Sequence, residues 1–369
     1  MRAFPLIALA ALSCSPAATT GPESDRNTAA AAAMPVAAPT PTSVADTDAP
    51  PTPGALKTFD DWTVGCDNIL SCQANALVPE VGDRDAYLLL LLTRDAGPDA
   101  PLRLVVPLPT ASRQPMTLAV DGKTFATLTP DRDGSTATLT LDRARAARLA
   151  DGQRVTLAPV AGGPVTASLK GLAATMLYID DQQRRVGTTS ASRKPGPATS
   201  PAAPAVPTLG VPPVATAGPR TLTVSAATRL IGPDNAFCDY AIGPVHPEAH
   251  RLDATHSLVL VPHPCGNGAY NMFSSGFIVD EQGRATPARY DAPPGIAEED
   301  NGDLINADWD DTAHRLTTYG KGRGVGDCGT AQAFAWDGTR FRLTDLHAMG
   351  ECRGSIDFIR LWTRATETR

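Results

Sequence analysis

The stretch Met116-Thr117-Leu118-Ala119-Val120-Asp121-Gly122-Lys123-Thr124-Phe125-Ala126-Thr127-Leu128 decides the fold class. Apolar and polar residues alternate on both sides of Asp121-Gly122, a pair that tolerates positive φ and favours a two-residue turn between antiparallel strands. A period of two puts every second side chain on one face, so Met116–Val120 and Thr124–Leu128 are expected to form a hairpin with one face on a core. Working outward, Thr63-Val64, Tyr87–Leu92, Leu102–Val106 and Ala137–Leu141 read as further strands. The continuous apolar run of Tyr87–Leu92 is too short to span a bilayer and suits one buried strand.

Leu141–Ala150 carries Ala, Arg and Leu at helical spacing and closes on Asp151-Gly152, the pattern of a short surface helix. Arg154–Ala158 and Val165–Leu169 form a last strand pair, and the apolar positions of Gly171–Asp180 fit a helix packed back on the sheet. An antiparallel sandwich with peripheral helices is the economical arrangement for residues 55–187.

Composition marks the boundaries. Residues 188–220 are rich in Pro and Ala and are expected to link that block to a second one, 221–369. Residues 15–54 are dominated by Ala, Pro, Thr and Ser, too poor in large apolar groups to offset the entropy of ordering. They are expected to form a disordered tether whose mean span as a coil is on the order of 35 Å. Before it, Arg2 precedes the short apolar stretch Phe4–Leu12, the layout of an export signal. Ala11-Leu12-Ser13-Cys14 resembles a bacterial lipobox, with Ala11 where that motif prefers leucine. It implies acylation of Cys14, a signal peptide ending there and a lipoprotein held in the periplasm or on the outer membrane; the alternative is a cleaved signal and free secretion.

Setting Cys14 aside leaves Cys66 and Cys72 in the first block and Cys238, Cys265, Cys328 and Cys352 in the second. Even numbers in each block are what oxidised pairing within blocks requires, in keeping with an oxidising compartment. Neighbour pairing gives Cys66 with Cys72, Cys238 with Cys265, and Cys328 with Cys352. Zinc is the competing reading, but no pair has the close spacing of a zinc knuckle.

The second block carries a weak repeat. The segments Phe277–Gly283, Ala307–Asp311 and Phe334–Gly338 each place an aromatic residue before an acidic turn, at Asp280, Asp310 and Asp337. That is the rhythm of successive hairpins, in a meander or a partial-propeller-like arrangement. The fold class expected for the whole chain is therefore mainly β, with two antiparallel β domains.

Four motifs then occur in order. Phe59-Asp60-Asp61-Trp62 stands with Val64-Gly65-Cys66 and Cys72. Cys265-Gly266-Asn267-Gly268-Ala269-Tyr270-Asn271 follows, then Lys321–Gly329, then Met349–Gly354. Together they resemble the bacterial domain of unknown function 1176 family over nearly the whole chain after the tether. The first block, with Ser168–Gly171, is also similar to the invasion-associated locus B proteins of the bacterial envelope. The resemblance implies an exported bacterial protein and assigns no activity.

A formal net charge of −7, with no clustered Lys or Arg, argues against nucleic acid, and beyond the signal no apolar run is long enough to span a membrane. Membrane contact is expected through the lipid anchor only. Gly324-Val325-Gly326-Asp327-Cys328-Gly329 formally matches a dinucleotide fingerprint, but no βαβ unit surrounds it. It reads better as a tight turn in which Arg323 and Asp327 pair, or as a loop presenting Arg323 to an anion. His246, His250, His256 and His263 read as loop histidines rather than a metal site, since Pro244 and Pro247 flank the first. The acidic positions Glu298, Glu299, Asp300, Asp303, Asp308, Asp310 and Asp311 lack the alternation of a calcium loop. Trp62, Trp309, Trp336 and Trp362 read as core residues. No catalytic residue, metal or cofactor is expected. The candidate binding residues are Tyr270, Asn271, Gly322, Arg323, Gly324, Gly326 and Asp327. The expected role is a non-enzymatic binding or interaction module for an envelope protein or cell-wall ligand, the alternative being a cell-wall-directed hydrolase or metal-dependent enzyme.

Overall fold

The hairpin at Asp121-Gly122 forms with both turn residues at positive φ, 49° and 75°, as a two-residue turn of this hand requires. The Asp121 carboxylate also accepts hydrogen bonds from the backbone N–H groups of Gln153 and Arg154, which fixes the hairpin against the next strand. The computed structural model describes residues 49–79, 86–241, 243–292 and 303–369. Cys14, the expected signal and most of the expected tether lie outside the described residues, as do Glu298, Glu299 and Asp300.

In chain order the first half comprises β1 (Lys57–Phe59), β2 (Trp62–Cys66), β3 (Cys72–Ala76), β4 (Leu91–Arg94), β5 (Leu102–Pro107), β6 (Met116–Val120), β7 (Lys123–Leu128), β8 (Thr136–Leu141), α1 (Arg143–Ala150), β9 (Arg154–Ala158), β10 (Val165–Ser168) and α2 (Leu172–Gln182). They make a six-stranded antiparallel sheet, β1-β2-β3-β4-β5-β8, and a four-stranded one, β10-β9-β6-β7. In β5 the buried set is Leu102, Leu104 and Val106, and in β6 it is Met116, Leu118 and Val120. These faces share one core with Trp62, Leu157, and Leu172, Met176 and Ile179 of α2. The Trp62 indole N–H donates to the Ser168 carbonyl at 3.0 Å, satisfying the one polar atom of a fully buried ring. Asp142 caps α1 by accepting from the Arg145 N–H, so the helix begins after the strand-like Leu141 rather than at it.

Tyr87–Leu92 differs from expectation. Leu88, Leu90 and Leu92 are buried, but only Leu91-Leu92 enter β4, which continues into Thr93-Arg94. A buried ion pair carries the strand past its apolar run: Arg94 reaches Asp180 at 3.1 Å, both side chains almost wholly out of solvent. Burial and the neighbouring Arg185 push the Arg94 guanidinium down to about 10, against the pull of Asp180.

The second half comprises β11 (Thr208–Val211), α3 (Val224–Ile231), α4 (Pro233–Ala236), β12 (Glu248–Arg251), β13 (His256–Pro262), β14 (Phe273–Asp280), β15 (Ala285–Pro287), β16 (Asp303–Ile305), β17 (Asp308–Asp310), β18 (Arg315–Lys321), β19 (Gly329–Trp336), β20 (Phe341–Met349), β21 (Ile359–Thr363) and β22 (Ala365–Thr368). Two antiparallel meanders result: β12-β13-β14-β15, with β16 also on β14, and β17-β18-β19-β20-β21. β13 is buried on both faces, which explains its unbroken Leu258-Val259-Leu260-Val261. Leu258 and Leu260 face a core with Trp309, Phe334, Trp336 and Phe341 of the other sheet, while Val259 and Val261 pack with Ala227, Ile231 and Ala236 of α3 and α4. The expected acidic turns close the hairpins: Asp280, Asp310 and Asp337 each accept backbone N–H groups two to four residues on.

All three disulfides form, Cys66–Cys72, Cys238–Cys265 and Cys328–Cys352. The two halves meet through a small core in which Leu77 packs with Met349, Ile359 and Leu361. Arg353 pairs with Asp61 and Arg360 with Asp67 across the same seam, at 2.5 and 2.8 Å. Within the Pro-rich 188–220, Ser192 and Arg193 donate to the buried Asp180 carboxylate, and β11 pairs in parallel with β22. The end of the expected tether is likewise bonded to the body, Gly54 N–H to the Leu361 carbonyl at 2.8 Å.

Candidate functional site

β18 and β19 are joined by Gly322–Cys328, the glycine-rich stretch singled out in the sequence. The loop is tightly built. A Cβ on Gly322 would press on Cys328 Sγ at 2.8 Å, and Gly326 takes φ 73°, so both positions need glycine. Tyr319 donates its hydroxyl to the Gly326 carbonyl at 3.0 Å. The Asp327 carboxylate takes two N–H groups from Arg323 and, at 2.8 Å, the N–H of Gly354 in the loop between β20 and β21. Cys328–Cys352 bolts the same two loops together. The Arg323 guanidinium beside Asp327 holds that carboxyl below the usual range, with the Gly354 N–H adding to the effect against burial.

Tyr270 and Asn271, fifty residues away in sequence, come to this loop. Asn271 donates to the Lys321 carbonyl at 2.9 Å and accepts the Lys321 N–H at 3.0 Å, a side chain completing the strand ladder. Asn306 donates to the carbonyls of Tyr319 and Tyr270. The Tyr270 ring lies over Gly324, where a Cβ would stand 3.4 Å from it. Gly322, Arg323, Gly324, Gly326, Asp327, Tyr270 and Asn271 therefore form one surface, in which Asn271 and Asp327 hold the backbone and Arg323 is already paired. Beside the half-exposed, paired Arg323, this surface presents large apolar groups outward: Val325 is 73 % exposed, Ile356 64 % and Tyr270 38 %. Below Ile356 a shallow depression of about 440 Å³ is lined by Tyr319, His347, Asp357 and Phe358. A hydrogen bond to Asp345 raises the His347 imidazole above its ordinary value, and burial raises the Asp357 carboxyl.

The four clustered histidines diverge. His246 is exposed, His250 stacks on Trp309 with ring centroids 5.7 Å apart, and His263 is buried with its Nε2 2.7 Å from the Ser275 hydroxyl. They are not all solvated loop residues, as the sequence suggests. β12 carries His250, β13 carries His256 and His263 directly follows β13, each beside buried aromatic or polar groups that the sequence does not announce. Among the described residues, no three metal-ligating side chains come together. The tryptophans are core residues, each at most 8 % exposed.

His256 is a site residue that sequence reasoning misses. Its Nδ1 lies 2.9 Å from Asp253 Oδ2, and the same carboxylate takes the Trp336 indole N–H at 2.7 Å and the N–H groups of Thr255 and His256. Burial works to raise the Asp253 carboxyl, but these donors outweigh it and hold the group below the usual range. His256 and Trp336 line a cavity of about 810 Å³ whose rim carries Arg284 and Arg289. The only sequence signal is Asp253 three residues before His256 at a strand entrance, a spacing common in turns.

The family model described as "Protein of unknown function (DUF1176)" matches residues 56–368. The chain belongs to this family. The DUF1176 match covers both halves, the seam between them and the glycine-rich loop. "Uncharacterized protein YpfG" of Escherichia coli (strain K12) is 31 % identical over 320 residues, 81 % of this chain and 89 % of the relative. Among solved structures, invasion associated protein B from Bartonella henselae aligns over 35 % of this chain and 99 % of its own, at 19 % identity and a TM-score of 0.29.

Proposed function

We propose that this DUF1176 protein is an exported, lipid-anchored envelope protein and a non-enzymatic binding module that receives a protein partner on the surface around Val325 and Ile356. The export signal, the lipobox-like Cys14 and the disulfides support the location. The observation that carries the binding reading is the exposure of two branched aliphatic side chains on loops locked to each other by Cys328–Cys352 and by Asp327. Rigid presentation of apolar groups lowers the ordering cost of association, and a tyrosine beside them adds rigid contact area. The charged groups at this surface are largely internally paired, Arg323 with Asp327 and His347 with Asp345. That leaves apolar contact as the driving term for a protein surface of matching shape.

A photocrosslinking residue placed at Val325 in living cells should capture a discrete partner, whereas one at the exposed Lys123 on the far hairpin should not. Introducing Ile356→Asp beside the Val325 probe should abolish the adduct. Equal capture from both positions, or capture indifferent to Ile356→Asp, overturns the reading.

A further inference from the structure

The cavity over Trp336 belongs to no part of the partner-binding surface proposed above, and its polar groups are disposed for a small ligand. It lies between the β14–β15 hairpin and the β19–β20 turn, with His256, Ile278, Pro287 and Trp336 among its walls and Arg284 and Arg289 at its edge. At about 810 Å³ it has the volume of a site for a mono- or disaccharide-sized molecule.

Asp253 decides what His256 can do. Its buried carboxylate is held ionised by backbone, indole and imidazole donors, and it fixes the imidazole with Nδ1–H pointing at the carboxylate. In the neutral ring Nε2 is then the lone-pair nitrogen, an acceptor for a ligand O–H or N–H. The two arginines differ. Arg284 is tied to Asp280 at 2.7 Å, while Arg289 is exposed and forms no ion pair with any described residue. Arg289 therefore supplies an uncommitted bidentate donor, which suits a carboxylate. Ile278, Pro287 and Trp336 provide apolar wall.

We propose that this cavity binds a sugar acid, a pyranose whose carboxylate meets Arg289, whose hydroxyl or amide N–H donates to His256 Nε2, and whose C–H face lies on Ile278, Pro287 and Trp336. Each demand comes from a different group: the anion from an exposed guanidinium, the donor from an oriented imidazole, and the apolar face from the wall. Asp253 is a positioning residue for both His256 and Trp336.

Titration calorimetry and saturation-transfer NMR on the folded protein, with N-acetylmuramic acid and glucuronic acid as probes and N-acetylglucosamine as the neutral control, test the site. At least one acid should bind saturably, about tenfold more tightly than the neutral sugar. Arg289→Gln should bring acid binding down to the level of the neutral sugar. His256→Ala should weaken acid and neutral sugar alike. Both side chains reach the surface, so unchanged melting temperatures and circular dichroism would show that the variants stay folded. The proposal is overturned if neither acid binds, if the neutral sugar binds as tightly as the acids, or if both variants bind like the wild type.

Discussion

At the scale of single residues, aspartates do much of the organising. Asp121, Asp280, Asp310 and Asp337 hold hairpins by accepting backbone N–H groups, Asp253 orients a histidine and an indole, and Asp327 ties two loops. Asp327 lends itself to a pH test. Its folded carboxyl lies below the usual value, so the stability it contributes is present above the unfolded value of about 4 and is lost as pH falls through the depressed folded one. Asp327→Asn should cost about 1–3 kcal/mol at neutral pH, the range for weakening a charge-assisted hydrogen bond to a partly buried partner. Urea unfolding at pH 7 and at pH 3 should show the gap to the wild type narrowing in acid; a gap independent of pH would rule the linkage out. His347 works in the opposite sense. Hydrogen-bonded to Asp345, it has a raised folded value, so its contribution is full below the ordinary histidine value and fades as pH rises through the folded one. Asp280, Asp310 and Asp337 are legible in the sequence because each bonds to N–H groups a few residues away, and Asp121 because it stands before Gly122 in a two-residue turn. Asp253 and Asp327 are legible only in part, since Trp336 and Gly354 lie 83 and 27 residues from them.

At the scale of elements, what the sequence makes readable is what alternates or caps locally. β5, β6, β8 and β9 lie within a residue of the pattern, and α1 begins where Asp142 can cap it. β3, β11 and β22 escape because their sequences, Cys72–Ala76, Thr208–Val211 and Ala365–Thr368, carry little alternating apolar signal. They exist through partners: β3 through the Cys66–Cys72 hairpin, and β11 and β22 through each other. The same holds for β2 against β21. Gly65 in β2 faces Leu361 and Ile359 so closely that a Cβ would come within 2.7 Å of Leu361 Cδ2. Gly65→Val should therefore destabilise by about 1–3 kcal/mol through overpacking. The loss should be local to the seam, seen as faster hydrogen exchange in β2 and β21 than in β6 and β7. Uniform loss of protection, or none, would show that this contact does not join the halves.

At the scale of the whole molecule, the described body from Ala49 onward has two larger β cores, a helix-backed layer on β13 and a small shared core at the seam. That seam is not legible in the composition, because its ion pairs, Arg353 with Asp61 and Arg360 with Asp67, join residues 292 and 293 positions apart. The same long-range closure bears on attachment. Gly54 bonds to Leu361, so the first residues of the body are fixed next to a C-terminal strand, and any tether leaves from that point. If Cys14 carries lipid, the anchor and the body are joined only by residues 15–53, and the body's disulfides and cores form without it. Cys14→Ser should then move the protein from the membrane fraction to the soluble fraction while leaving the three disulfides and the melting temperature unchanged. Fractionation of cells and non-reducing electrophoresis read both outcomes. Unchanged partitioning would remove the lipid anchor from the proposal, and a lost disulfide would mean that Cys14 pairs with a thiol rather than a lipid. Cys14 is the odd one of seven cysteines, the other six being bonded in pairs, so the proposed acylation would account both for the surplus thiol and for the Ala/Pro/Thr-rich segment that follows it.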